Sequence, residues 1–299
     1  MALVSFHDLM AAAGDGRYAV GYFESWNLES LMAVADAAEA MRSPVLLGFS
    51  GIYLPDPSRI VREPLAVYAA MGLEACRSLR VPACLVFNES PYLEAVREAI
   101  RLGFGLVMFS DEHLNYDAQV ARVRSVVVEA NRAGAAVEGE PAALPGMGGE
   151  LADMPDDLRL TDPDQARAFV EATGVHALAV NVGQAHLHGR REVRLDLPHL
   201  ARLRDAVAVP LVLHGATSVN RDDLRTAIAL GICKINVGSL LKRAYFEALR
   251  AACLQAGADY NPYEVVGSGK AVDVLAQGRL ALQRAVEELM RLFGSADKA

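Results

Sequence analysis

Several things are scarce or missing in this 299-residue chain, and each shortage excludes something. It has four cysteines, Cys76, Cys84, Cys233 and Cys253, with no metal-ligand spacing among them. That argues against a disulfide scaffold or a zinc ribbon and points to reduced thiols in the cytoplasm. No Lys/Arg block occurs, and the net charge is −8 with both signs interspersed, so a broad nucleic-acid surface is not expected. No apolar run approaches the ~18–20 residues of a membrane span. The opening MALVSFHDLMAAAGDGRY lacks a basic segment followed by an apolar one, so no export signal is read there. No glycine-rich dinucleotide loop follows the first strand-like run, which argues against an open doubly wound sheet.

What is present is alternation. Apolar runs recur at 19–23, 44–50, 83–89, 105–110, 135–140, 177–183, 210–215 and 232–238. Most are nearly continuous, as in strands buried on both faces. Helical spacers separate them. In 28–42, Leu28, Leu31, Met32, Val34, Ala35 and Ala38 share a side; 162–174 starts on Asp162-Pro163 and stops on Gly174; 221–231 stops on Gly231. Eight strand–helix units predict an α/β fold, a single (β/α)8 TIM barrel, with no composition break to divide residues 1–299 into domains. The irregular stretch 141–161 follows a strand end and is expected to cover the site as a mobile loop. The amphipathic segment 274–294 fits packing either across a subunit or on its own barrel.

Barrels of this kind keep their chemistry at the C-terminal strand ends. Those ends carry Glu24, Ser50, Asn88, Glu89, Ser110, Asp111, Glu138, Glu140, Gly183, His186, His214 and Asn236. Two imidazoles from neighbouring strand ends, His186 and His214, suit a divalent cation, and Glu89 or Glu140 could supply a carboxylate. His188 is a weaker candidate, while His7, His113, His176 and His199 read as ordinary surface or packing residues. The junctions HGATSVN (214–220) and NVGSL (236–240) place small and hydroxyl residues before helices, as an anion site requires. Plain helix capping by Ser218, Asn220 and Ser239 is the alternative.

On SPVLLGFSG (43–51), LTDPDQARAFVEATGVHALAVNVGQAH (160–186), PLVLHGATS (210–218) and GICKINVGS (231–239), the chain resembles the class II, metal-dependent ketose-bisphosphate aldolases. The likeness runs from about residue 2 to the C-terminus. It implies a TIM barrel, a divalent metal (zinc first, manganese or iron as alternatives), a phosphorylated sugar substrate, and a homodimer or homotetramer. In the family three histidines bind zinc; His186 and His214 match two of them, and Glu89 stands at the third. Asn88 replaces the aspartate that donates a proton, Glu24 replaces an asparagine, and Ser110 with Asp111 beside it replaces a strand-four aspartate. Leu187 replaces a phosphate-binding glycine, and Arg190 a lysine. Asn236, Thr217 and Ser239 survive, Glu140 matches a carboxylate near the metal, and Ser50 a substrate-contacting serine.

The resemblance assigns the metal to Glu89, His186, His214 and Glu140, and the substrate or its phosphate to Ser50, Gly183, Gly215, Thr217, Ser218, Asn236 and Ser239. The altered chemistry falls to Asn88, Glu24, Asp111 and Asn236. An amide has no accessible proton to give, so Glu24, Asp111, Glu140 or His188 must replace the missing acid. The expected activity is metal-dependent cleavage of a phosphorylated ketose or related sugar derivative through a metal-stabilised enediolate. The alternatives are an isomerase or epimerase that omits cleavage, and a sugar-phosphate-binding relative without turnover. A Schiff-base route through Lys234 is a further reading, against a buried ion pair at that lysine.

Overall fold

The computed structural model describes residues 2–146, 151–156, 158–187 and 192–299. Eight parallel strands close in chain order into a barrel: β1 Val20–Ser25, β2 Val45–Ser50, β3 Ala83–Ser90, β4 Leu106–Phe109, β5 Ala136–Gly139, β6 Ala177–Ala179, β7 Leu211–Leu213 and β8 Ile232–Val237. All eight expected strands are found, within the apolar runs that predicted them or overlapping them by a few residues.

The apolar runs are continuous because each strand faces two cores. Inward side chains such as Val20, Tyr22, Leu46, Val86, Met108 and Val212 fill the barrel. Their outward neighbours Phe23, Leu47, Leu85, Phe87 and Leu213 pack under the helices. Helix Phe6–Gly16 precedes the first strand and joins the inner core through Phe6, Leu9, Met10 and Ala13. The chemistry is thereby left to the opposite, C-terminal mouth.

Helix boundaries follow local signals. Helix Leu28–Met41 begins at a capping box formed by Asn27 and Ser30. Helix Pro163–Thr173 has Asp162 as N-cap, proline at its start and left-handed Gly174 as its end. Helix Arg221–Ala229 is capped by Asn220. The C-terminal helix Val274–Leu292 lies on its own barrel, burying Leu282, Val286 and Met290, while Phe293 stacks on Phe23 with ring centroids 6.2 Å apart. The remaining helices of the outer ring are Leu65–Ser78, Leu93–Arg101, Tyr116–Ala133, Leu197–Ala206 and Ser239–Ala256.

The stretch 141–161 has no helix among its described residues. It is stapled to the end of the β6 segment: His186 N–H donates to Pro145 O at 3.1 Å, and Leu151 N–H to His186 O at 2.7 Å. No helix of the described residues is long and apolar enough to cross a membrane. All four cysteines are free, and burial pushes the Cys76 thiol up to about 12.

Candidate metal and substrate site

A cavity of about 630 Å³ opens at the C-terminal mouth. Tyr22 and Glu24 come to it from β1, Ser50 from β2, Asn88 and Glu89 from β3, and Asn236 from β8; His186, Leu187, Gly215 and Thr217 come from the loops after β6 and β7.

Strand β3 delivers two adjacent side chains to one place, which a regular strand cannot do because successive residues face opposite sides. The β3–β4 register shifts between Phe87 and Ser90, and Glu89 takes a left-handed backbone with φ 41°. This is an irregularity of the kind that re-aims side chains near functional sites. Left-handed backbone at a non-glycine residue costs roughly 1–3 kcal/mol, held here by the surrounding barrel.

Glu89, His186 and His214 each offer one atom to a group in which all lie within 4.8 Å of one another. Glu89 Oε1 is 3.3 Å from His214 Nδ1 and 3.7 Å from His186 Nε2. These same three atoms are buried, and none has a hydrogen-bond partner. Orphaned buried polar atoms are rare and call for an explanation. One anionic oxygen and two imidazole nitrogens converging on one point are the donor set a divalent cation takes. The residues therefore fit a metal.

Their other atoms are spoken for. His214 Nε2 lies 2.6 Å from Glu138 Oε1, which holds one proton on Nε2, so that Nδ1, once it gives up its own proton, turns a lone pair to the group. Asn236 Nδ2 is also 3.0 Å from that nitrogen, but one N–H cannot serve as donor and acceptor at once. The shorter carboxylate contact decides, and Asn236 Nδ2 donates instead to Asn88 Oδ1 at 3.0 Å. Asn88 Nδ2 donates to Glu89 Oε2 at 3.1 Å, which turns Glu89 Oε1 toward the histidines. Lys234 Nζ, fully buried, donates to Glu138 Oε2 at 2.7 Å and to Asn236 Oδ1 at 2.6 Å. Lys234 is thus the ion-paired residue and not a free amine.

Electrostatics follow from this packing. Burial alone would lower the His214 pKa, but the charges of Glu89 and Glu138 and their contacts outweigh it and raise it to about 10. Burial opposes ionisation of Glu89 and Glu138; the cationic partners win, holding Glu89 well below the carboxylate range and Glu138 below it. At Glu140 the same two histidines act more weakly. Burial and the neighbouring Glu89 charge lift it to about 7, and Ser110 Oγ donates to it in a short hydrogen bond.

Not every expected residue reaches the cavity. Glu140 is outside the Glu89–His186–His214 group and accepts a hydrogen bond from Ser110 Oγ. Asp111 accepts from His113 N–H at 3.0 Å, capping a turn, and does not line the cavity. Gly183 donates its N–H to Asn181 Oδ1, and Ser218 Oγ is buried without a partner; neither is a lining residue. Ser50, Gly215, Thr217, Asn236 and Ser239 do line it, and Ser239 Oγ donates to Thr217 Oγ1 at 3.1 Å. His188 and Arg190 lie outside the described residues. Three other histidines are in local roles: His176 Nδ1 accepts from Val137 N–H, His7 stacks edge-on against His176, and His199 contacts Thr161 O and Arg202.

Sequence reasoning missed Tyr22, Lys242 and Arg243. Lys242 Nζ is 2.5 Å from Glu24 Oε1 and 4.5 Å from the Tyr53 ring centroid. Both basic residues lie in the first turn after Ser239, where a basic pair behind a glycine–serine junction was a readable signal for anion binding. Gly238 leaves room for the acid, since a Cβ there would collide with Glu24 Oε2.

A family model described as fructose-bisphosphate aldolase class-II matches residues 4–298. A fructose-bisphosphate aldolase of Thermus caldophilus is 31% identical over 320 aligned positions, which cover 99% of this chain and 100% of that protein. The crystal structure of the YdjI aldolase from Escherichia coli K12 superposes with a TM-score of 0.79 at 29% identity, covering 99% of each chain. A putative fructose-1,6-bisphosphate aldolase from Coccidioides immitis gives 0.80 at 27% identity, over 98% of this chain and 97% of its own.

Proposed function

Since the chain belongs to the class II fructose-bisphosphate aldolase family, we propose that it is a metal-dependent carbon–carbon lyase acting on a phosphorylated ketose or a related sugar derivative. The observation that carries this reading is the convergence of three buried, partnerless donor atoms, Glu89 Oε1, His186 Nε2 and His214 Nδ1, beside a polar cavity. A divalent cation held by these three residues, with zinc the first expectation, would supply Lewis acidity to a ketone oxygen.

The remaining work belongs to the chain's own side chains. Asn88 and Asn236 hold each other and fix the faces of Glu89 and the cavity floor; Asn88 orients but has no proton to transfer. Glu24 is the carboxylate beside the cavity left to take the proton from the substrate hydroxyl across the breaking bond, and Lys242 holds it in place. Thr217, Ser239 and the backbone around Gly215, with Lys242 and Arg243 nearby, offer donors and positive charge to a phosphate. An isomerase or epimerase is the second reading, favoured by the amide at Asn88 in place of an acid. A homodimer or homotetramer in the cytoplasm completes the proposal: Phe246 and Leu254 on helix Ser239–Ala256 and Tyr263 on the short helix Pro262–Val265 are exposed apolar side chains, and light scattering reads the assembly mass.

Elemental analysis of wild type, Glu89→Ala and His186→Ala tests the metal site. Bound metal in the wild type and its loss in both variants is expected; equal content in all three would remove these residues from coordination. The metal-loaded protein should release dihydroxyacetone phosphate or an analogous ketone from a panel of ketose phosphates, and Glu24→Gln should lose that release while keeping its metal. Solvent deuterium in recovered substrate without fragments would move the assignment to the isomerase.

A further inference from the structure

Lys242 lies in the first turn of helix Ser239–Ala256 and Glu24 on β1, 218 residues apart in the chain and both at the edge of the cavity. The Lys242 ammonium makes three contacts there. It donates to Glu24 Oε1 at 2.5 Å, and it sits 4.5 Å from the Tyr53 ring centroid and 5.8 Å from that of Trp26. Trp26 is the single tryptophan of the chain, and its ring stands edge-on against Tyr245 of the same helix, with 5.5 Å between centroids.

This arrangement conflicts with the work given to Glu24. Its Oε2 lies against Gly238, where a Cβ would collide with it, and its Oε1 faces the ammonium. A substrate hydroxyl that is to hand its proton to Oε1 needs that ammonium gone. Lys242 can leave. The pair is partly exposed, 39% at the lysine and 15% at the glutamate, and ion pairs so placed are weak, as are contacts of a cation with exposed rings. Thr217 and Ser239, bonded to each other on the same cavity wall, offer hydroxyls but no charge. A phosphate ester seated on them carries a charge of about −1.5 to −2 against one on Glu24, and so outcompetes the carboxylate for Lys242.

We propose that Lys242 is a positioning residue that changes partner: it holds Glu24 in the ligand-free protein and swings to the substrate phosphate when that binds, leaving Glu24 Oε1 open to the substrate hydroxyl. Phosphate binding thereby readies the proton acceptor. The exchange breaks and forms no covalent bond. It rests on the lyase reading above for the role of Glu24, while the change of partner itself needs no metal.

The test is calorimetric titration of the metal-free protein with inorganic phosphate, in wild type, Glu24→Gln, Lys242→Met and the double variant. Salt is kept at about 0.15 M, where repulsion at a distance is screened. Glu24→Gln should tighten phosphate about fivefold, the size of a partly exposed ion pair. Once Lys242 is methionine, the same change should alter affinity less than about twofold, because the two residues act as one unit. Trp26 emission in the wild type should shift with the same midpoint as the heat, since the cation leaves its ring, and should not respond in Lys242→Met. Tightening that is equal with and without Lys242 would mean plain repulsion by Glu24. No tightening, or a silent Trp26, would mean that Lys242 stays. Each of these overturns the exchange and leaves the lyase reading intact. In the metal-loaded enzyme Lys242→Met should lose kcat/KM on a ketose phosphate mainly through KM; a loss carried by kcat, as in Glu24→Gln, would mean that Lys242 only orients Glu24 and would also overturn the exchange. An enzyme without any cleavage defeats the lyase reading, and the binding cycle still decides the exchange. A wild type that binds no phosphate defeats the phosphate site and this inference together.

Discussion

His214 has one nitrogen committed to Glu138 and the other unpartnered, and in the metal-free protein it carries a proton up to about pH 10. A cation must displace that proton. Below pH 10 the deprotonated fraction falls as pH falls, so apparent zinc affinity should drop about tenfold for each unit of acidification, with proton release on binding. Chelator competition across a pH series, with release measured in weak buffer, checks both; a flat profile would contradict the raised pKa. Glu138→Gln leaves an acceptor for His214 but removes the charge that orients it and strands Lys234. Zinc should bind roughly 10–100-fold more weakly, since an outer partner is lost while the three donor atoms remain. At this scale the histidines and Glu89 were legible from strand ends. Glu138 was seen as a strand-end carboxylate, but its partners were not, because His214 and Lys234 are 76 and 96 residues away in the chain.

The elements that shape the site are short irregular joints. The β3 irregularity turns Asn88 and Glu89 to the same place, and the β7 joint turns on Gly215, whose φ is 65°. A Cβ on Gly215 would come within 2.8 Å of Ala185 O, the backbone next to His186. Gly215→Ala should therefore cost about 1–3 kcal/mol of stability through forced left-handed backbone, with more from the contact. It should also lower zinc content, because the segments carrying His186 and His214 are pushed apart. Urea unfolding and elemental analysis read the two effects; unchanged values would mean the joint relaxes freely. Strand existence and some helix caps could be read from the chain, as Asp162-Pro163 and Gly174 illustrate. The β3 irregularity could not: FNES carries no glycine to announce a left-handed turn.

Across the whole molecule, the barrel is closed by elements remote from the mouth. The N-terminal helix Phe6–Gly16 packs into the inner core, and the C-terminal helix Val274–Leu292 packs against the outside. Leu282 is fully buried in that outer layer. Leu282→Ala should cost about 2–5 kcal/mol, by lost burial and the cavity left behind. Denaturant unfolding should show a lower midpoint with an unchanged slope, while zinc content of the folded protein stays at the wild-type level. Loss of metal without loss of stability would mean the C-terminal helix shapes the site directly.

Chain order alone determined the barrel and the rim on which polar residues gather, because strand length, double-sided burial and helix capping are local properties. It also determined that His186 and His214 come from neighbouring strands. Tertiary structure decided which of those polar residues meet. It grouped Glu89 with the two imidazoles, set Glu140 against Ser110, turned Asp111 into a turn cap, and brought Lys242 against Glu24 from across 218 residues. The physical reason is that side-chain direction at a strand end depends on register, irregularities and the partners that satisfy buried charge, and those are set only when the barrel closes.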